Sequence, residues 1–219
     1  MFCKVPKIKS PPECNAGWQM PPWKNISSEQ IQHYMGKKPD HFPNTQVKIA
    51  YDNKAIYLMF QVADRYVRAT ATDHQGNVWE DSCVEFFFTP DSDLSVGYFN
   101  LEINCGGKML FHFQKERKKN QIVIPKQECS KIKCTHSLPG FIDPEIDTPI
   151  TWTVAVHVPF SLLKEYCRIN PPAPQVQWRA NFYKCADKTS HPHWLTWTAV
   201  DSPKPDFHVP QSFGILEFE

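Results

Sequence analysis

At 219 residues the chain is long enough for one large domain or two small ones, and 41% hydrophobic against 21% charged residues supports a sizeable core. A formal net charge of +1 excludes the global field of a nucleic-acid or anionic-surface binder. No apolar run approaches the ~20 residues of a membrane-spanning helix, and the opening "MFCKVPKIKSPPEC" shows no signal peptide.

Twenty prolines against eight glycines, with 13% aromatics, favour turns and strand edges over long helices. Residues 1–45, rich in Pro, Lys and Asn, read as an irregular N-terminal extension holding Trp18 and Trp23. Within it "SSEQIQHYM" (27–35) carries a Ser cap followed by Glu and Gln, which predicts one short helix. From residue 47 the period becomes two. "VKIAYD" and "AIYLMFQVAD" flank the turn-forming "DNKA" and predict a hairpin, with Ile56, Leu58, Phe60 and Val62 on one face. "CVEFFF" is the next strand, Glu85 at its centre and Trp79 upstream. "YFNLEINC" then alternates Phe99, Leu101, Ile103 and Cys105 against Asn100, Glu102 and Asn104.

"GGKMLFHFQ" starts another strand, the basic "KERKKN" is a solvated hairpin tip, and residues 125–149 read as an irregular loop. "TWTVAVHVPF" places Trp152, Val154, Val156 and Val158 inside, and "SLLKEYC" is a helical turn. "VQWRANFYK" sets Trp178, Ala180 and Phe182 against Arg179, Asn181 and Tyr183. "HWLTWTAV" and "FGILEFE" are the last strands. Short alternating strands with few short helical turns predict an all-β fold, an antiparallel β-sandwich. With no internal repeat and no linker, residues 1–219 are expected to form a single domain.

The eight cysteines, Cys14 among them, show no CxxC pair and no zinc-ribbon spacing. Cys83 and Cys105 lie within strands as small hydrophobes. Only Cys129 and Cys134, bounding "CSKIKC", suit a disulfide, and the reduced state is the expectation.

The polar strand faces can simply meet water, as one face of an antiparallel sheet commonly does. Two features argue for more. Asn and Glu are poor strand formers, yet they recur at matched positions. Tryptophans flank them: Trp79 before one strand, Trp194 and Trp197 after another, beyond the "KTSHPH" loop. Amides and carboxylates among indoles suit a sugar, whose C–H faces stack on aromatic rings while its hydroxyls hydrogen-bond.

The segments "AIYLMFQVAD", "WEDSCVEFFFTPD", "YFNLEIN", "VHVPF", "WRANFYK" and "FHVPQSFGILEF", in this order over residues 47–219, resemble the carbohydrate-binding module family 9-like domains. "PPWKNI" resembles that family's first strand. The resemblance implies a jelly-roll-like sandwich that holds a glycan between two tryptophans. The matching positions are Trp79, Glu85 and Trp197, with Asn181 and Tyr183 in the family's "N-x-Q" segment and Asn100 beside them on the polar face. Where the family has a sugar-bonding Arg this chain has Glu102, and Arg179 is the nearby cation that restores one. The resemblance also implies structural calcium, although Asp52, Asp64 and Asp73 form no definite calcium signature. It implies non-catalytic carbohydrate binding in support of glycan degradation, alongside a glycan-degrading enzyme, in an extracellular or periplasmic setting. No nucleic acid and no membrane insertion are expected.

Other readings use the same residues. A glycoside hydrolase needs two carboxylates, which Glu85 with Glu102 or Asp81 could supply, though no acid has a visibly apolar setting. A related haem-binding sandwich would draw on Met59, Met109, His112 and His193, without a CxxCH motif. His191, His193, His208 and Cys185 invite a zinc reading on weak H-x-H spacing.

Overall fold

The computed structural model describes residues 1–13, 17–117 and 119–219; Cys14, and Lys118 of the basic hairpin tip, lie outside them. Period-two alternation sorts each strand into an inner and an outer face. The larger sheet runs β1 (Phe2–Val5), β16 (Gly214–Phe218), β14 (Gln177–Cys185), β7 (Cys83–Thr89), β8 (Tyr98–Asn104), β9 (Met109–Gln114) and β10 (Ile122–Val123). Off this path β15 (Trp194–Thr196) pairs with both β14 and β3 (His33–Tyr34). The smaller sheet runs β11 (Lys133–His136), β13 (Ile150–Pro159), β5 (Ala55–Asp64), β4 (Asn44–Tyr51) and β2 (Glu29–Ile31), while β6 (Val67–Ala69) pairs with β12 (Ile142–Ile146). Every pairing of these strands is antiparallel except β1 with β16.

The inner faces are those the alternation marks. Phe86, Phe88, Leu101, Ile103, Trp178 and Phe182 of the larger sheet share one core with Leu58, Phe60, Trp152 and Val154 of the smaller. Each such side chain contributes about 1.5–3 kcal/mol on burial. Helical structure is limited to short turns, of which Phe160–Leu163 answers to the turn expected near "SLLKEYC". The all-β sandwich is thus the observed fold.

Four local expectations fail. Residues 27–35 form β2 and β3 rather than a helix, Ile31 pairing with Thr45 and Tyr34 with Leu195. The capping signal is local, and pairing with both sheets overrides it; Glu29 accepts a hydrogen bond from Trp197 Nε1 (2.9 Å) instead of capping a helix. "PPWKNI" is a 3-10 turn over Trp23–Asn25, not a strand. Residues 1–45 are also not a loose extension. Trp18 and Trp23 pack with Tyr57 and Met59 on the outer face of the smaller sheet, where Lys48 donates to the Trp23 carbonyl (2.8 Å). Residues 125–149 contain β11, β12 and a helical turn at Lys126–Cys129. Cys129 and Cys134 are free thiols, as are the other cysteines among the described residues.

Candidate functional site

The outer face of the larger sheet is not solvated. Met35, Val78, Phe207 and Phe213 pack over Phe87, Tyr98 and Tyr183 to form a second apolar cluster above the sheet. Beneath this cover Glu85 is only 2% exposed and Glu102 only 5%. A cavity of about 490 Å³ remains between sheet and cover, within the range of small-molecule sites.

Its floor is built by strand alternation. Glu85 of β7 and Glu102 of β8 stand directly opposite in register, which brings their Cβ atoms to ~5 Å. Gln114 Nε2 donates to Asn100 Oδ1 (3.1 Å), and Asn100 Nδ2 donates to Glu102 Oε1 (3.0 Å). Glu85 Oε1 accepts from the Cys185 thiol (3.0 Å), while its Oε2 has no hydrogen-bond partner among the described residues. Trp79, from the 3-10 turn Val78–Glu80, and Trp194, from the start of β15, both line the cavity. Trp194 Nε1 donates to Asp187 (2.9 Å), which lines it too. The one lining arginine, Arg117, is 2.9 Å from Asp206.

Burial dominates the electrostatics. It pushes Glu85 well above the carboxylate range, with Cys185 and Glu102 adding to the rise. It raises Glu102 to about 7 against the opposing hydrogen bond from Asn100, and Asp187 to about 6 against that from Trp194. Two carboxyl groups in register without a cation between them therefore hold protons more tightly than exposed carboxylates do. No acid stands out in the sequence as having such a setting, because the cover that creates it is remote in the chain.

Of the residues singled out in the sequence, Trp79, Glu85, Asn100 and Glu102 meet in the cavity. The other four do not line it. Trp197 is fully buried in the core against Phe182 (ring centroids 5.3 Å apart). Trp194 is the second indole at the cavity, and parity along "WLTW" distinguishes the two, since Leu195 and Trp197 both point inward. Arg179 pairs with Thr89, four positions along β14 from the Tyr183–Glu85 pair. Its guanidinium donates to the carbonyls of Gly214 (3.2 Å) and Phe213 (2.5 Å), so it restores no cation to the floor. Asn181 exchanges hydrogen bonds with the Thr198 backbone (2.9 and 3.3 Å). Tyr183 stacks on Phe207 (4.1 Å) and donates to its carbonyl (3.1 Å). These three hold the cover in place. Gln114 and Asp187 line the cavity with no signal in the sequence to mark them, and Cys185, which the sequence grouped with histidines, lines it too.

The remaining candidates disperse. Asp81 is buried and accepts from the Thr70 and Ala71 amides (2.9 and 3.0 Å) and Asn104 Nδ2 (2.8 Å), so the carboxyl group in register with Glu85 is that of Glu102. His191 stacks on Tyr66, His193 faces Lys184 Nζ (2.7 Å) and His208 faces Tyr98 (3.0 Å), so they form no zinc site with Cys185. Met59 lies in the satellite cluster, Met109 in the core and His112 at the cavity, with no common point for a haem. Asp52 caps the β4–β5 turn, Asp64 joins a buried ion pair with Lys184 and Asp73 faces Lys126. These three do not fit the oxygen cage that calcium requires.

Comparisons with known proteins agree with the fold. The model of Carbohydrate-binding family 9 matches residues 22–218. The structure of a candidate carbohydrate-binding protein from Bacteroides uniformis is 28% identical, with a TM-score of 0.87 over 100% of this chain and 99% of that one. A carbohydrate binding module family 9 from Caldicellulosiruptor kristjanssonii is similar in two structures. In complex with glucose it gives a TM-score of 0.67 over 100% of this chain and 96% of that one. With cellotriose the score is 0.68 over 100% and 94%. At 11% identity that likeness is one of fold. A comparison with curated proteins finds no match.

Proposed function

The chain belongs to carbohydrate-binding family 9, and from that premise we propose that it binds an oligo- or polysaccharide without cleaving it, in the cavity lined by Trp79 and Trp194, in support of glycan degradation. The observation that carries this reading is the buried relay Gln114–Asn100–Glu102 beside Glu85, in a cavity that two indoles also line. Indole faces suit pyranose C–H surfaces, and a polar floor beneath them suits hydroxyls. The retained proton matters here. A carboxylate only accepts, whereas a protonated Glu102 both donates and accepts, as sugar hydroxyls require. Exchange of the family's Arg for Glu102 thus need not remove the donor.

Titration with glucose, cellobiose and xylobiose across pH tests the proposal. Affinity for a neutral sugar is expected to fall as pH rises through about 7, where Glu102 loses its proton. Glu102→Gln, which always carries N–H donors, should flatten that profile, and Glu102→Ala should weaken binding about ten- to a hundredfold, the ~1.5–3 kcal/mol of such a contact. Absence of binding to any member of a glycan array sinks the reading. A profile unchanged in Glu102→Gln would instead move Glu102 out of the contact.

One observation favours a second reading. Two opposed carboxyl groups with raised pKa are what a glycoside hydrolase needs in its acid. Oligosaccharide products that accumulate with the protein and vanish in Glu85→Gln would establish it; their absence leaves binding.

A further inference from the structure

Cys83 and Cys185 are register partners across β7 and β14, on the cavity-facing side of the sheet. Glu85 lies two positions along β7 on the same face. The two sulfurs and a carboxylate oxygen lie within 4.8 Å of one another. All three residues are almost wholly buried, at 0%, 1% and 2% exposure for Cys83, Cys185 and Glu85. Buried thiols alone are ordinary small hydrophobes. The carboxyl group is not explained that way. Among the described residues, one of its oxygens has only a thiol donor and the other has no partner. A thiol is a weak donor, and a buried carboxyl group so poorly satisfied is costly.

A cation between these atoms resolves both features. We propose that Cys83, Glu85 and Cys185 form a binding site for a thiophilic divalent cation of the zinc class, with a fourth position open to the cavity that Glu85 and Cys185 line. Two thiolates and one carboxylate suit zinc or cobalt(II) and disfavour calcium and magnesium, which take oxygen ligands. Among the described residues this is the one such convergence of donors. A thiol with its ordinary pKa of about 8.5 is largely protonated at neutral pH. Binding therefore exchanges two thiol protons, and any proton on Glu85, for the cation. The site shares Glu85 with the proposed sugar cavity, but its test needs no sugar, since the ion is held by the protein alone.

The test is titration of metal-free, reduced protein with cobalt(II) and no sugar present. A thiolate-to-cobalt charge-transfer band should grow to saturation near about one equivalent and disappear on adding zinc. Calorimetry in two buffers of different ionisation enthalpy should find about two to three protons released per ion. Cys83→Ser and Cys185→Ser should each abolish the band, while Glu102→Gln keeps it. No thiolate band, or one that persists in both serine variants, overturns the site. Should the serine variants fail to fold, the native chain still decides, because binding with less than about one proton released is not binding to two thiols. Any of these failures leaves sugar titrations untouched and so separates the two readings.

Discussion

Asp64→Asn is expected to destabilise the protein by about 3–5 kcal/mol, the usual cost of removing one partner of a buried ion pair. Asp64 ends β5 with its side chain 1% exposed, and Lys184 of β14, the last inward-facing position of its strand, has a side chain 0% exposed. Their charged atoms are 3.7 Å apart. Asp64 also accepts from Trp152 Nε1 (3.1 Å), His41 Nε2 (2.7 Å) and the Arg65 amide (2.8 Å). Lys184 donates to His193 Nε2 (2.7 Å) and to the Cys185 carbonyl (3.0 Å). An asparagine keeps part of this hydrogen bonding but leaves the ammonium without a counter-charge.

The same pair sets an acid limit. Burial pushes the Asp64 carboxyl up, but Lys184, His41 and His193 overcome it and hold the group at about 2, below its ordinary 3.8. A depressed acid contributes stability that is complete above the unfolded value and is lost as pH falls through the folded one. Urea midpoints of the two proteins should therefore differ widely at neutral pH and converge as pH falls from 3.8 toward 2. Equal midpoints at neutral pH would mean that Lys184 finds its compensation elsewhere.

Trp197→Ala and Trp194→Ala should behave in opposite ways, although the two indoles lie three residues apart. Trp197 is fully buried against Phe182 and hydrogen-bonded to Glu29, so its loss leaves a cavity and an orphaned carboxylate, at a cost of about 3–5 kcal/mol. Trp194 is half-buried and its ring lines the cavity. Its truncation should cost the fold about 1 kcal/mol or less and weaken sugar binding about tenfold, as Trp79→Ala should also do. Thermal melts paired with titration of the best array ligand decide the matter. A Trp194→Ala protein that binds as well as the native one removes that indole from the site.

The strands were legible because their inner faces are apolar with a period of two. β5, β8, β13 and β14 show every inward residue where alternation placed it. The site was legible only by parity. Glu85, Asn100 and Glu102 were rightly set apart from the core, yet the depth at which they lie depends on residues such as Phe207, from a Pro-rich span with no periodicity. Arg179 has the correct parity too. What excludes it is its offset along β14, a register that only strand pairing fixes. The short helix expected at residues 27–35 failed for a related reason, since its capping signal is local and the competing strand pairs are not.

The span from Thr198 to Phe213 is tied down at both ends by side chains of one strand, Asn181 at the first and Arg179 at the last, with Tyr183 gripping Phe207 between them. Its middle supplies Pro205, Asp206, Phe207 and His208 to the cavity. This makes it an interchangeable cassette. Variants that keep the two anchors and the stacking ring are expected to retain the sandwich while the intervening residues change, and on the proposed reading to shift which sugar the cavity takes.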